Sequence, residues 1–444
     1  MSPTAGATVI LVTADRLIDG TGGAPLAGGA GVAIDGDRIV AVGATATLAA
    51  RYPGAMRHDF PGGSLLPGFV DSHVHSTFSA GPVPFEDIQS DSDVVIGVRG
   101  AINARDALQA GVTTMRDLGG RDRTTLQLRD AIGSGVVPGP RLLVCGRPVT
   151  IPGGHLNFLG GVAKGLDGVK ALTTELIEEG VDAIKVIATG GNMTVTSDPL
   201  AAQFSREEID AIVRIASGAQ RRVTAHARGV EGIRAATEGG VHNIEHCRME
   251  VPPGEWSFDT GLAREIAARG ITAAPTLAAS YRAFQRQAAG GRVGVRKGAI
   301  PFEIRLKNAA RLREAGIRVV VGTDAGASLA RFDEAAHVEM EGLVQAGWTP
   351  LEAIEAGTRG AAAAIGLERE IGTLEAGKLA DLVVVQGEPA RTISDVRHVV
   401  AVFLGGRLAV SAGHATLDDR PVPWPAEQIA HRDVYRATEV KPAR

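Results

Sequence analysis

Apolar residues near the start of the chain come in short runs of the kind that form strands. Val9-Ile10-Leu11-Val12 is one. Val32-Ala33-Ile34 faces Ile39-Val40-Ala41-Val42 across Asp35-Gly36-Asp37, and Asp-Gly between apolar runs signals a hairpin. The far end repeats the pattern with Asp381-Leu382-Val383-Val384-Val385, Val399 to Leu404, a Gly405-Gly406 turn and Leu408-Ala409-Val410. Short β segments flanking a long αβ core predict one composite β-sandwich, assembled from residues 1–64 and 369–444. From about Asp418 the proline-containing, mixed-charge sequence predicts a surface tail.

Between the ends the rhythm changes to strand, glycine turn, helix. Strand candidates are Leu65–Val70, Val112–Met115, Leu142–Val144, Ala183–Ala188, Val223–Ala225, Val241–Ile244, Ile271–Ala274 and Ile317–Val321. Helical windows separate most of them. One opens at Ser205, where Glu208 three residues later completes a capping box before Ile209. Eight such strands over about 300 residues predict an α/β fold, a (β/α)8 TIM barrel spanning residues 65–368.

Composition narrows the function classes. The 444 residues are 44% apolar and 22% charged, ordinary for a globular chain and long enough for a large core. A net charge of −4 without a long run of either sign argues against nucleic acid as a partner, because phosphate binding needs a basic surface. No stretch reaches the 18 or so apolar residues that cross a bilayer, and Met1 to Asp15 lacks the basic start of a secretory signal. Two cysteines, Cys145 and Cys247, cannot build a disulfide framework and suit a reducing cytoplasm. The 58 glycines fit many tight strand–helix turns, or a compositional bias.

Candidate chemistry gathers at strand ends. After Leu66-Pro67-Gly68-Phe69-Val70, His73 and His75 stand two residues apart and therefore on one strand face. A lone His-x-His is a weak signal. Here His226 also ends a strand candidate, His246 follows another, and Asp324 closes Val319-Val320-Val321-Gly322-Thr323. A barrel converges those ends on one point. Lys185 lies inside the apolar strand Ile184 to Ala188, where an unpaired ammonium is expensive. It is either paired with a carboxylate or converted by carbon dioxide to a carbamate, an anionic ligand able to bridge two metal ions.

Taken together these motifs resemble the amidohydrolase superfamily, on the branch of imidazolonepropionases, metal-dependent Xaa-Pro dipeptidases and ochratoxinase-type amidases. The resemblance rests on Pro67 to His75, Ile184 to Gly191, Thr224 to Gly229, Ile244-Glu245-His246-Cys247, Gly322-Thr323-Asp324 and Gly372 to Leu382, and covers residues 9 to 410. It implies that His73, His75 and Asp324 hold one divalent ion and that His226 and His246 hold a second. Lys185, N6-carboxylated, would bridge both, with zinc the expected metal. It further implies a metal-bridging hydroxide attacking the amide or peptide bond of a small molecule, such as a dipeptide or N-acyl amino acid, with Asp324 as general base. A homo-oligomer is expected.

His155, on the glycine-rich loop Pro152-Gly153-Gly154, occupies the place where family members contact the substrate carbonyl. Arg228, two residues after His226, reads either as a structural arginine or as a fork for a substrate carboxylate, where related dipeptidases often carry tyrosine. His242 is four residues, about 13 Å, deeper than His246 and reads as a core or supporting histidine. His337 reads as a helix residue, Cys247 as a buried hydrophobe, and Arg116-Asp117 as a structural ion pair. The alternative activity is a lactam or imidazolone-ring hydrolase, or a deaminase. Superfamily deaminases usually place glutamate three residues after the fifth-strand histidine, and Gly229 stands there. A remoter alternative is a non-catalytic assembly protein on the same scaffold, which would be expected to lose ligands.

Overall fold

A computed structural model describes residues 9–252, 254–288, 300–327, 329–415 and 422–424. Both ends of the chain enter one eight-stranded sheet. From the amino-terminal side come Ile10–Leu17, Leu26–Asp35, Arg38–Ala44 and Met56–Pro67. From the other side come Leu382–Gln386, Val399–Leu404, Arg407–Ser411 and His414–Ala415. The seam is the antiparallel pair Leu382↔Pro67, Val383↔Leu66 and Val384↔Leu65. The two predicted hairpins form, with Ile34 opposite Ile39 and Leu404 opposite Arg407. Their turns need glycine: Gly36, Gly405 and Gly406 have φ of 62°, 55° and 76°. A Cβ on Gly406 would sit 2.2 Å from the Gly36 carbonyl, so the two turns touch. Val12, Val32, Ile34, Leu65, Leu382 and Phe403 form this sheet's own core.

Two parallel sheets occupy the middle of the chain. One contains Phe69–Val74, Val112–Asp117 and Arg141–Val144. The other contains Ala183–Ile187, Arg222–Gly229, Asn243–Val251 and Thr272–Ala274, with the short strand Glu255–Trp256 at its edge. Isolated parallel bridges Val149↔Val186, Ala273↔Val319 and Val74↔Ala325 extend this pairing beyond the named strands. Helices such as Asp93–Gln109, Gly165–Glu178, Arg206–Gly218 and Val230–Glu238 alternate with the strands, as parallel connections require. The Ser205 capping box is present, with Ser205 Oγ accepting from the Glu208 N–H and the Glu208 carboxylate accepting from the Ser205 N–H.

Two expectations change, and one is not reached. The candidate strand Leu65–Val70 is two elements. Leu65–Pro67 completes the end sheet, so the expected boundary after residue 64 falls inside a strand, and the parallel strand starts at Phe69. Gly68 makes the break, because a Cβ there would lie 2.1 Å from Thr113 Oγ1. Ile317–Val321 forms no regular strand, though Ala273 N–H bonds Arg318 O, Val320 N–H bonds Ala273 O, and Val321 O accepts from the Ser72 N–H on its other side. The predicted tail from Asp418 lies outside the described residues, except that 422–424 is seen, with the Pro423 carbonyl accepting from Arg141 Nε at 2.9 Å.

Candidate metal centre

His73 and His75 leave the end of the Phe69–Val74 strand on the same side, as period-two geometry requires. Each Nε2 lies 3.4 Å from Asp324 Oδ1. Two ligands bonded at about 2.0–2.1 Å to a tetrahedral ion are about 3.3 Å apart, so both histidine nitrogens stand from Asp324 at the spacing of ligands to one ion. Each outer nitrogen faces an oxygen. His75 Nδ1 is 2.9 Å from the Gly119 carbonyl, which can only accept, so Nε2 is the bare lone pair. His73 Nδ1 is 2.9 Å from Glu245 Oε2, a close charged contact without hydrogen-bond alignment, and it is Nε2 that faces Asp324.

His226 and His246 form the second group. His226 Nε2 is 3.0 Å from the Gly190 carbonyl, which turns Nδ1 inward. His246 Nδ1 is 2.8 Å from Thr276 Oγ1, which turns Nε2 inward. The two inward nitrogens are 3.0 Å apart. Burial, helped by neighbouring cations and imidazoles, holds His75, His226 and His246 well below the ordinary histidine range. All three are neutral at pH 7, the form a metal requires.

Lys185 is 1% exposed on the strand Ala183–Ile187, and its Nζ has no hydrogen-bond partner. No carboxylate among the described residues lies within ion-pair distance, so the structural pairing is not made. Burial pushes its ammonium below the usual value, against the pull of Glu245 and Asp324. Glu245 serves other partners: Arg116 at 3.2 Å, Thr224 Oγ1 at 2.5 Å and the Asn243 amide. Burial opposes its charge, but His73, Lys185 and Arg116 hold its carboxyl at about 2.

The backbone is strained where the site is built. His246, Thr276 and Asp324 have φ of 67°, 53° and 60°, a region that costs non-glycine residues of order 1–3 kcal/mol each. Asp324 is held there by its N–H to the His73 carbonyl at 2.8 Å. Asp71 ties the same two segments, accepting from the His73 and Thr323 N–H groups and from Thr323 Oγ1. Burial raises the Asp324 carboxyl above its ordinary value, against the pull of His73 and Lys185.

His155 is 5% exposed, with its ring centroid 4.8 Å from that of His226. Thr194 Oγ1 receives the Leu156 N–H at 3.2 Å and lies 3.0 Å from His155 Nδ1. Its single proton can go to Nδ1, which leaves Nε2–H as a donor. Burial, then Arg228 and Lys185, push His155 down to about 3, so it stays neutral. Gly191 makes room for it, since a Cβ there would lie 2.5 Å from the ring. Arg228 is 2% exposed and grips Glu250 through Nη2 at 2.8 and 3.0 Å and Nε at 3.3 Å, with Nη1 on Asn192.

Arg116 and Asp117 do not pair. Successive strand residues point to opposite faces, and Arg116 takes Ser72 O and Glu245 while Asp117 takes Ser76 and the Gly119 N–H. His242 is half-buried and accepts from the Val223 N–H, away from the ligands. His337 sits on the helix Ala335–Gln345 with Nε2 2.8 Å from the Ala110 carbonyl. Cys247 is fully buried, its thiol pushed up to about 12 by desolvation. Sequence reasoning missed Glu245. Strict alternation would put Glu245 and His246 on opposite faces, and only the left-handed turn at His246 lets neighbouring residues serve one site.

The amidohydrolase family profile matches residues 64–409. The chain belongs to the amidohydrolase family. A bacterial imidazolonepropionase-like composite domain also matches residues 30–55, within the end sheet. Among relatives of this amidohydrolase, ochratoxinase from Aspergillus niger is 28% identical over 92% of this chain and 88% of its own. The ochratoxinase crystal structure superposes with a TM-score of 0.79 at 27% identity, covering 93% of this chain and 99% of that one. A Xaa-Pro dipeptidase crystallised with methionine in its active site gives a TM-score of 0.80 at 26% identity, covering 90% and 99%. Such kinship makes the protein a hydrolase of carbon–nitrogen bonds. Among the described residues no helix is long and apolar enough to cross a membrane.

Proposed function

We propose that this amidohydrolase is a binuclear, metal-dependent hydrolase of the amide or peptide bond in a small molecule, a dipeptide or N-acyl amino acid. The observation that carries the reading is Lys185, a fully buried amine without a partner beside two sets of inward-turned histidine lone pairs. The residues fit two ions. His73, His75 and Asp324 would hold one, His226 and His246 the other, and carboxylated Lys185 both. We read the two parallel sheets and the bridges between and beyond them as parts of one (β/α)8 barrel, with these residues at the carboxyl ends of its strands.

When bound, two zinc-type ions supply an electrophile for the scissile carbonyl and an acidified water. The chain's own residues do the rest. Asp324 is the proton acceptor, a buried carboxylate fixed by its strained backbone, and hands the proton on to the leaving amine. His155, held neutral, offers Nε2–H to the carbonyl oxygen of the substrate. Phe85, stacked on it and backed by Phe158, supplies an apolar wall on this side.

The test is metal analysis with a hydrolysis screen of dipeptides, N-acyl amino acids and lactams on zinc-replete protein. Two equivalents of metal and turnover of linear amides are expected. One equivalent of metal, or turnover of lactams alone, would overturn the reading.

A further inference from the structure

Beyond His246 the strand Asn243–Val251 carries Arg248 and Glu250, and across from it the helix Phe302–Glu314 carries Arg305 in its first turn. Three guanidiniums, Arg228, Arg248 and Arg305, therefore share one neighbourhood, and the carboxylate that Arg228 and Arg248 both approach is Glu250. That partner is already taken. Arg228 grips both Glu250 oxygens at 2.8 and 3.0 Å, whereas Arg248 comes only to 3.8 Å of one of them. Arg248 is 9% exposed, and its Nε and that of Arg305 are buried without any hydrogen-bond partner.

Buried guanidinium groups cost free energy unless an anion and hydrogen bonds satisfy them. Other carboxylates nearby do not answer the need. Asp324 belongs to the candidate metal group. Glu339 is fully buried, and its Oε2 accepts the Ala278 N–H at 2.7 Å. Asp324 nonetheless lies within electrostatic reach of both Arg248 and Arg305, so the cationic pair borders the reaction centre.

We propose that Arg248 and Arg305 are the specificity residues of this site and bind a free carboxylate on the substrate, while Arg228 is the strut that fixes Glu250 beside them. The planar fork of arginine matches a carboxylate, and two forks around one anion would supply the missing partners of both side chains. Rejection of uncharged analogues follows from the same geometry, since an ester or amide leaves the two buried Nε–H groups unmatched. The inference rests on the hydrolase reading above and names the residues that would recognise the carboxylate its substrates carry.

Calorimetric binding to zinc-loaded protein separates the two ideas, because affinity is read without turnover. The probes are N-acetyl-L-phenylalanine, its methyl ester and its primary amide. Wild-type protein is expected to bind the acid at least tenfold more tightly than either neutral analogue. Arg248→Met and Arg305→Met should each erase most of that preference, and Arg248→Lys should keep part of it. Should Arg248→Met fail to fold, Arg305→Met on the neighbouring helix decides the point. Equal binding of acid and ester by the wild type, or equal losses on both in the variants, overturns the proposal. A strong acid preference in a protein that cleaves no amide would leave the pocket standing and remove the hydrolase reading.

Discussion

On one side of the candidate centre His73 has a carboxylate behind its ring, Glu245, and another, Asp324, beside its inward nitrogen. On the other side His226 and His246 lean on neutral groups alone, the Gly190 carbonyl and the Thr276 hydroxyl. An anion behind an imidazole raises its basicity and fixes its tautomer, and a carboxylate ligand adds charge that a neutral ligand cannot. The two positions are therefore unequal before any ion arrives. The first should bind tightly and rigidly. On the proposed reading the second needs negative charge on Lys185, and so should fill later and empty sooner.

The largest effect is expected where the two sides share a function. Asp324→Asn keeps the shape but removes the proton acceptor, and should lower turnover by about 10² to 10⁴. Near wild-type kcat with both ions present would take the general-base role from Asp324. Lys185→Ala should then separate the sides, leaving metal only at His73 and His75. Metal analysis should show about one equivalent, and added short carboxylic acids should restore part of the second. Two tightly held equivalents in this variant would show that no bridge is needed.

The supporting residues sharpen the contrast. Glu245→Gln should weaken metal binding at the first position by about 10- to 100-fold, the usual range for such partners, and Thr276→Val should do less at the second. The reverse order in a zinc titration would overturn the comparison.

Acid should reveal the same asymmetry more gently. His75, His155, His226 and His246 all bind protons less readily folded than unfolded, His155 only at about 3. Between that value and the unfolded value near 6.5 the unfolded chain holds more protons, so stability rises with pH and is lost as pH falls. Glu339 works the other way, because burial lifts its carboxyl to about 8 and its contribution fades as pH rises from 4.5. His242 and His337 are lowered in the same way, and burial raises Asp71, Asp117 and Asp324 as it does Glu339, so six imidazoles stand against four carboxyls and outweigh them. The Tm of the metal-free protein should drop between pH 7 and 5, with the second ion leaving the loaded protein first. A flat profile would mean that these rings are not buried neutral.

Much of this was legible in the chain because apolar runs advertise strands and polar residues at their ends stand out. His73, His75 and Asp324 come together as their strand-end positions foretold, and His226 meets His246 for the same reason. The two-ended sheet was legible from its hairpins. What the sequence hid depends on backbone angles and on tertiary closeness. Nothing in Leu65-Leu66-Pro67-Gly68-Phe69 says that one run serves two sheets until Thr113 is seen filling the space beside Gly68. Nothing in Glu245-His246-Cys247-Arg248 announces the positive φ of His246 and Cys247 that turns the chain at the centre. Arg305 sits on a helix with no motif of its own, and only the fold brings it to Glu250.

The sheet woven from both ends has a consequence during synthesis. The strand Met56–Pro67 finds its antiparallel neighbour in Leu382–Gln386, some 315 residues later. At roughly 5–20 residues per second a ribosome needs about 15 to 60 seconds to make that stretch. Throughout that interval one edge of a growing sheet stands open, ready to pair with any extended chain that passes. The long-range seam that unites the finished molecule is, in the nascent one, the place where a chaperone is most needed.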